Sequence, residues 1–549
     1  MSNLADTPGG ALTPINGSAR VELGLHFLRE ALDAPRVGAE IVPAEMVYAQ
    51  SNFSDKAWSN WSIVPFGFGD GGGGPTREMM ERAHRVADLD GLPRLEVGTP
   101  DRFFDAVEAE MAERDAPEWH GELYFEMHRG TFTSQLGTKI GNRTCERLLR
   151  EAELWWAFVG ADAPTAALDE IWKEVLLLQF HDIIPGSSIA WVYEDTDESY
   201  GRLVPQLEGI VADALTRLAT VQPTVANAAT QDRDEVVVVA AGDVVGVEGP
   251  HQVLADGRHA LRVAAPGLGL APATATAVER EVVVDGTTMH NGLVSITWDD
   301  SGAIVAARDL VRDRDLLLAD RHTAIEIAPD LPNEYDAWDL EHWARRASVE
   351  IDDVQSVEVV DAGPLLGRVR VTRVHGATTI VHDYVVRAGS RRIDVEFDVD
   401  WQGNEQIMSF AVPVAIHSAT ATCGIQFGTV ERPRHANTSW DAAKFEVCAH
   451  RWVDVSERTF GVALLDDGRY GHALQGDTLR VSLFRAANWP APGADRGRHR
   501  TTVSLFPHDG DLAAVARGID AIEARVRAAV PEAHRIYLEP DLRRRDPAG

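Results

Sequence analysis

The stretch Ile393-Asp394-Val395-Glu396-Phe397-Asp398-Val399-Asp400-Trp401 sets the class of the C-terminal half of the chain. Apolar and acidic residues alternate through it without a break. Successive side chains of a strand point to opposite faces, so the pattern predicts one buried face and one face carrying four carboxylates into solvent. Val237–Val239, Val282–Val284, Leu293–Trp298 and Ile380–Val386 predict further strands. Asp285-Gly286 and Asp299-Asp300-Ser301-Gly302 are turn signals between them. From about residue 233 onward the chain reads as a large all-β region of sandwich type.

Upstream, the period changes. Leu148, Leu149, Ala152, Trp155, Trp156 and Val159 lie on one stripe of an amphipathic helix. Leu168, Ile171, Trp172, Val175 and Leu178 form a second stripe. That helix is expected to end near His181, because Pro185 cannot continue it. A third helix is expected at about 198–219, and short connections suggest a small bundle. Further toward the N-terminus a glycine run, Gly69-Asp70-Gly71-Gly72-Gly73-Gly74-Pro75-Thr76, precedes a helical stretch from Arg77 to Leu89, with Thr76 as its N-cap.

Composition bounds the partners. Among 549 residues, 52 Lys and Arg stand against 85 Asp and Glu, a net charge of −33. Such a surface repels phosphate backbones and anionic membranes, so neither nucleic acid nor a membrane is an expected partner. Cys145, Cys423 and Cys448 are too few and too scattered for a disulfide framework or a thiolate zinc site. Met1–Gly10 is polar and lacks the apolar core of a secretory signal, and no apolar run approaches the ~18 residues of a membrane span. The expected location is cytoplasmic.

Four segments carry residue types suited to chemistry. His181 and Asp182 adjoin at a helix end before a Pro-Gly turn; together they suit a metal or a sugar hydroxyl, and equally a capping role. In Gly121–Gln135, Arg129 beside acidic residues reads as an ion pair or a substrate contact. The glycine run lacks the Lys-Ser/Thr of a phosphate loop; it fits either a flexible turn or a close approach to ligand, with Asp70 at its start. Asn333-Glu334-Tyr335-Asp336-Ala337-Trp338-Asp339 interleaves aromatics with carboxylates, suited to stacking on sugar faces or to a contact between domains. Arg498-His499 and Pro507-His508 read as loops without metal-ligand spacing.

Taken in order, these motifs resemble the bacterial α-mannosidases of glycoside hydrolase family 38. The resemblance rests on Gly69–Met79, on Gly121-Glu122-Leu123-Tyr124 with His128-Arg129-Gly130-Thr131, and on Gln179-Phe180-His181-Asp182. It continues through Tyr335–Asp339, Glu431-Arg432-Pro433, Ser439-Trp440-Asp441, Phe445-Glu446, Tyr470-Gly471-His472 and Asp495–His499. It implies a multidomain α+β chain: the remnant of an α/β catalytic barrel at 1–118, a three-helix bundle at 119–225 and a β-sandwich region at 226–549. It also implies zinc-dependent, retaining hydrolysis of terminal α-mannosides in mannose-containing oligosaccharides. One carboxylate attacks the anomeric carbon and a second protonates the leaving oxygen. By resemblance His181 matches a zinc ligand, Asp182 a contact to the bound mannose, Asp70 the general acid, and Tyr335 and Asp336 further sugar contacts.

The sequence also departs from that family. The pattern calls for an N-terminal His-x-Asp that supplies two zinc ligands, yet none of the 19 histidines has Asp two residues later. It calls for a zinc-touching Asp nucleophile in an Asp-x-Phe context, and the 69 residues before Asp70 hold none. Asp101-Arg102-Phe103-Phe104 has a passing likeness but lies after the glycine run. The chain also reads as stopping before the family's last β domain. The expectation is therefore an incomplete α-mannosidase, inactive by itself. The partners expected of it are a missing catalytic half supplied in trans or a second copy in a homo-oligomer. The rival is a non-catalytic carbohydrate-binding or structural remnant.

Overall fold

The computed structural model describes residues 39–510 except 54, 69–72, 113, 115–121, 124–126, 222 and 427. The chain divides into two compact units, Met1–Glu126 and Met127–Gly549.

The first unit contains helices α1 (Pro43–Asn52), α2 (Arg77–Val86) and α3 (Pro100–Met111). Thr76 caps α2 as its sequence predicts, with Oγ1 accepting from the Met79 N–H at 3.2 Å. The helix stops at Val86, short of the expected Leu89. Ala83 and Val86 pack with Ile41 and Met46, while Phe103 and Val107 of α3 pack with Phe53. Among the described residues this unit has no multi-residue strand. Its β character is a parallel bridge between Ala39 and Phe66 and an antiparallel one between Phe68 and Gly73. The second bridge pinches the base of the glycine run.

The second unit opens with three packed helices, α4 (Leu136–Val159), α5 (Thr165–Leu178) and α6 (Ala190–Leu218). Leu148, Leu149, Ala152, Trp155 and Trp156 of α4 share one core with Leu168, Ile171 and Val175 of α5 and Leu203 and Leu207 of α6. Gly141 lets α4 approach α6, since a Cβ there would lie 2.4 Å from the Tyr200 ring. Helix α5 ends three residues before His181. Helix α6 begins at Ala190 rather than about 198, because Tyr193, Thr196 and Tyr200 extend its buried face toward the N-terminus.

The rest is antiparallel β. A nine-stranded sheet runs Val354–Ala362, Leu366–His375, Thr378–Arg387, Ile393–Trp401, Gly497–His508, Gly461–Asp466, Trp452–Ser456, Thr420–Ile425 and Gly428–Pro433 in spatial order. A six-stranded sheet, centred on Gln406–Pro413 and Thr478–Arg485, lies against it. Trp401 stacks on Phe484 at 5.8 Å and Phe397 meets Phe410 at 5.6 Å, so the two inner faces form a sandwich core. Smaller sheets occupy 224–315.

Two sequence expectations are corrected here. The acidic face of Ile393–Trp401 is not a row of solvated carboxylates. Asp394 is buried, paired with Arg387 and Arg392 and bonded to Ser504 Oγ at 2.6 Å. Glu396 pairs with Arg387, and Asp398 lies between Arg498 and Arg500. The strand is central to its sheet, and its neighbours bring arginines over the acids. Likewise Arg498-His499 and Pro507-His508 are not loops but parts of the strand Gly497–His508.

Candidate functional site

Helix α5 gives way to a tight turn that carries His181 and Asp182. The Ile183 and Ile184 N–H groups both donate to Phe180 O, at 2.8 and 3.2 Å, and Gly186 N–H donates to Ile183 O at 3.1 Å. Gly186 has φ +92°, and a Cβ there would lie 2.5 Å from Ser134 O, so only glycine seats the turn this closely. Tyr193 holds the turn from α6, its hydroxyl donating to Asp182 O at 3.2 Å and accepting from Ser188 N–H at 2.8 Å. Lys139 of α4 holds it from below. Its ammonium donates to the carbonyls of Ile184 at 2.9 Å, Pro185 at 3.2 Å and Ser134.

Burial drives the Lys139 pKa well down, partly offset by the Asp495 carboxyl. Burial drives the Asp495 pKa up, opposed by the Leu136 N–H that it accepts at 2.6 Å. The backbone of the turn is thus fixed on three sides, while the His181 imidazole and, in part, the Asp182 carboxylate stay open to solvent. His181 is 78% exposed, its ring on Phe180 at 4.2 Å and its Nε2 3.4 Å from Asp182 Oδ2. Asp182 Oδ1 accepts from Ser187 Oγ at 3.2 Å. Leu176, Leu177, Phe180, Ile189 and Trp191, all exposed, flank the turn in sequence.

The segments around Arg129 and Tyr335 meet each other. His128 N–H donates to Asp339 Oδ1 at 2.9 Å and Gly130 N–H to Trp338 O at 2.8 Å. Ser134 Oγ donates to Ala337 O at 2.8 Å. At the centre lies Arg485, fully buried. Its Nε binds Asp330 Oδ2 at 2.6 Å, and its Nη1 donates to Ser134 Oγ at 2.7 Å and Ala337 O at 2.8 Å. Its Nη2 donates to Asp336 O at 2.6 Å and to Asp339 O. Burial raises the Asp330 pKa, and the Arg485 charge opposes that rise. Arg129 donates to Ala443 O at 3.0 Å and lies over the Phe445 ring at 4.4 Å. A second buried pair, Arg345 with Glu446, sits alongside and is bonded to Ser409 and Ser482.

These contacts join the predicted positions by backbone rather than by side chain. The His181 turn rests on Ser134, and Ser134 is bound through Arg485 and Ala337 to the segment bearing Tyr335 and Asp336. Tyr335 is exposed, with φ +55°. Asp336 Oδ2 accepts from the Asn488 N–H at 2.6 Å and the Trp489 N–H at 3.0 Å; Oδ1 is buried without a partner among the described residues. Asp70 lies outside the described residues. No three His, Cys, Asp or Glu side chains gather as metal ligands among the described residues.

Sequence reasoning passed over Lys139 and Arg485, and met Ser134 and Asp495 only as members of longer motifs. A signal existed for the first two. Lys139 is a charged residue in the buried first turns of α4, and Arg485 continues the inward series Leu479, Val481, Leu483.

Comparison with known proteins agrees with the order of the motifs. Residues 16–122 match the N-terminal domain of glycosyl hydrolases family 38, 126–218 the alpha mannosidase middle domain, and 289–493 the family 38 C-terminal domain. The chain is 32% identical to human alpha-mannosidase 2C1 over 522 residues, covering 88% of this chain and 49% of that protein. It is 30% identical to alpha-mannosidase G of Dictyostelium discoideum, covering 88% of this chain and 51% of that one. It therefore spans about half the length of the curated relatives it matches. An alpha-mannosidase from Enterococcus faecalis V583 superimposes with a TM-score of 0.65 at 14% identity, over 88% of this chain and 67% of that one, a likeness of fold. Among the described residues no helix is long and apolar enough to cross a membrane.

Proposed function

Because the chain belongs to glycosyl hydrolase family 38, we propose that it serves the hydrolysis of terminal α-mannosides, as its relatives' names suggest. The observation that supports this reading most is the His181–Asp182 turn. Its backbone is anchored by Lys139, Tyr193 and Ser134, while its imidazole and carboxylate stay open to a ligand. Asp182 would hold mannose hydroxyls, with Tyr335 as a further contact, and Asp70 would protonate the leaving oxygen in a retaining, two-carboxylate reaction; Asp336 is turned inward onto the Asn488 and Trp489 amides and is not a contact.

The family resemblance implies zinc, with His181 as a ligand. A zinc site takes at least three protein ligands, and the described residues offer His181 and Asp182 together with no third. The described residues do not fit the metal. The same shortage, with no candidate for the attacking carboxylate itself, leads to the proposal that this 549-residue chain is inactive by itself.

The test is hydrolysis of an aryl α-mannoside by the purified chain with added zinc. The expected result is no turnover, with His181→Ala indistinguishable from the parent. Turnover that His181→Ala abolishes would overturn the proposed inactivity. A second reading, a carbohydrate-binding remnant, is favoured by the incomplete ligand set. Calorimetry with mannose bears on the two, since binding that requires zinc belongs to the mannosidase reading.

A further inference from the structure

We propose that Tyr335, Trp338 and Trp489 form a platform that binds a pyranose ring of a neutral glycan, a subsite carried by the β region itself. The three rings come from two segments some 150 positions apart and converge, Trp338 lying 5.3 Å from Trp489 at an interplanar angle of 37° and 6.3 Å from Tyr335, which stands edge-on to it at 74° as the wall of the platform. The two outer rings are open to solvent, Tyr335 at 52% and Trp489 at 53% exposure. Exposed aromatic residues held together without an apolar covering are unusual, because burial of each would otherwise stabilise the fold.

The platform is rigid by construction. Asp336 grips the N–H groups of Asn488 and Trp489 with one carboxylate oxygen, and Ala337 N–H donates to Trp489 O at 3.0 Å. Trp338 N–H and Asp339 N–H both donate to Tyr335 O, at 2.8 and 3.0 Å. Tyr335 is kept at φ +55°, a left-handed conformation that is disfavoured for a bulky residue. The surrounding hydrogen bonds sustain that conformation around an exposed ring. Beneath it, Arg485 fixes the carbonyls of Asp336, Ala337 and Asp339.

The chemistry of the surface selects the ligand. The C–H face of a pyranose stacks on aromatic rings, and its hydroxyls take bonds from amides and guanidinium groups. Asn488, Asn404 and Arg496 supply such groups beside Trp489: Asn488 Nδ2 donates to Asn404 Oδ1 at 3.0 Å and Arg496 Nη2 to the same oxygen at 2.6 Å. A neutral polyol also escapes the repulsion that a chain of net charge −33 exerts on anions. Asp336, expected from resemblance to touch the sugar, is assigned here to shaping the platform. The choice of mannose rests on the glycosidase reading; the stacking surface does not.

The test is titration of the full chain with methyl α-mannoside and with mannotriose, followed by calorimetry and tryptophan fluorescence. Mannotriose is expected to bind. Trp489→Ala is expected to weaken it about tenfold, with Trp489→Phe recovering most of the loss. Tyr335→Asn, which keeps a residue tolerant of the left-handed backbone, should weaken binding in the same direction, and melting curves verify that each variant folds. Asp213→Asn, in an exposed pair on α6, should bind as the parent does. Binding lost in His181→Ala but unchanged in Trp489→Ala and Tyr335→Asn would overturn the platform while supporting the His181 turn. Absence of any oligosaccharide binding at millimolar concentration would overturn the platform and leave the family reading to the hydrolysis assay.

Discussion

Arg485 and His181 lie at the two ends of one chain of contacts, and they are treated oppositely. Arg485 is wholly buried, with Asp330, Ser134 and three carbonyls around it. His181 is mostly exposed and rests on a single aromatic ring. The difference teaches where rigidity is placed. Buried polar groups hold the backbone of the presented segments, and the side chains suited to ligand are left unencumbered. A buried charge without its partner is costly, whereas an exposed one is nearly indifferent to its neighbours.

The largest effect that would sharpen this contrast is expected from Arg485→Leu. It leaves the Asp330 carboxyl buried and the carbonyls of Asp336 and Asp339 without their donor, and should cost about 3–5 kcal/mol in urea unfolding. A loss below about 1 kcal/mol would break the contrast at its buried end.

The next effect is a pH dependence. His382 is buried against Tyr384 and Phe397, and burial pushes its pKa down to about 3, with Arg373 adding to the shift. The folded-state pKa is lower than that of the unfolded chain. The unfolded chain therefore binds the extra proton, and stability falls as pH drops below about 6.5 toward 3. The loss should reach on the order of 2–3 kcal/mol by about pH 4, and His382→Phe should flatten that part of the profile of unfolding midpoint against pH.

Smaller still is Asp398→Asn. Its partners Arg498 and Arg500 are largely exposed, so the change should cost less than about 1 kcal/mol and shrink further in high salt. Smallest is His181→Ala, expected within about 0.5 kcal/mol of the parent by thermal melting. A destabilisation of several kcal/mol there would show that His181 is structural, and the contrast with Arg485 would fail.

Much of this arrangement was legible. The stripe Leu148–Trp156 foretold the buried face of α4, and the alternation at Ile393–Trp401 foretold a strand. Gln179-Phe180-His181-Asp182 and Tyr335–Asp339 carry residue types suited to a sugar or a metal in the sequence alone. What escaped was the company each residue keeps. The carboxylates of Asp394, Glu396 and Asp398 looked solvated because the arginines that meet them lie on other strands. Asp336 looked like a sugar contact because nothing near it in sequence reveals the amides of Asn488 and Trp489 that it accepts. Trp489, isolated in sequence, gave no sign that it would come to rest on Trp338.

The sequence by itself determined the periods, and with them the helices, the strands and the family to which the motifs point. Periodicity is a local property, written in side-chain spacing against a backbone repeat of 3.6 or 2 residues. Only the tertiary structure decided that Arg485 would gather Asp330, Ser134 and the Tyr335–Asp339 segment, and that the aromatic rings of Tyr335, Trp338 and Trp489 would share one surface. Those outcomes depend on strand register and on which chain segments close against one another, and these are fixed by the packing of the whole core rather than by any stretch within it.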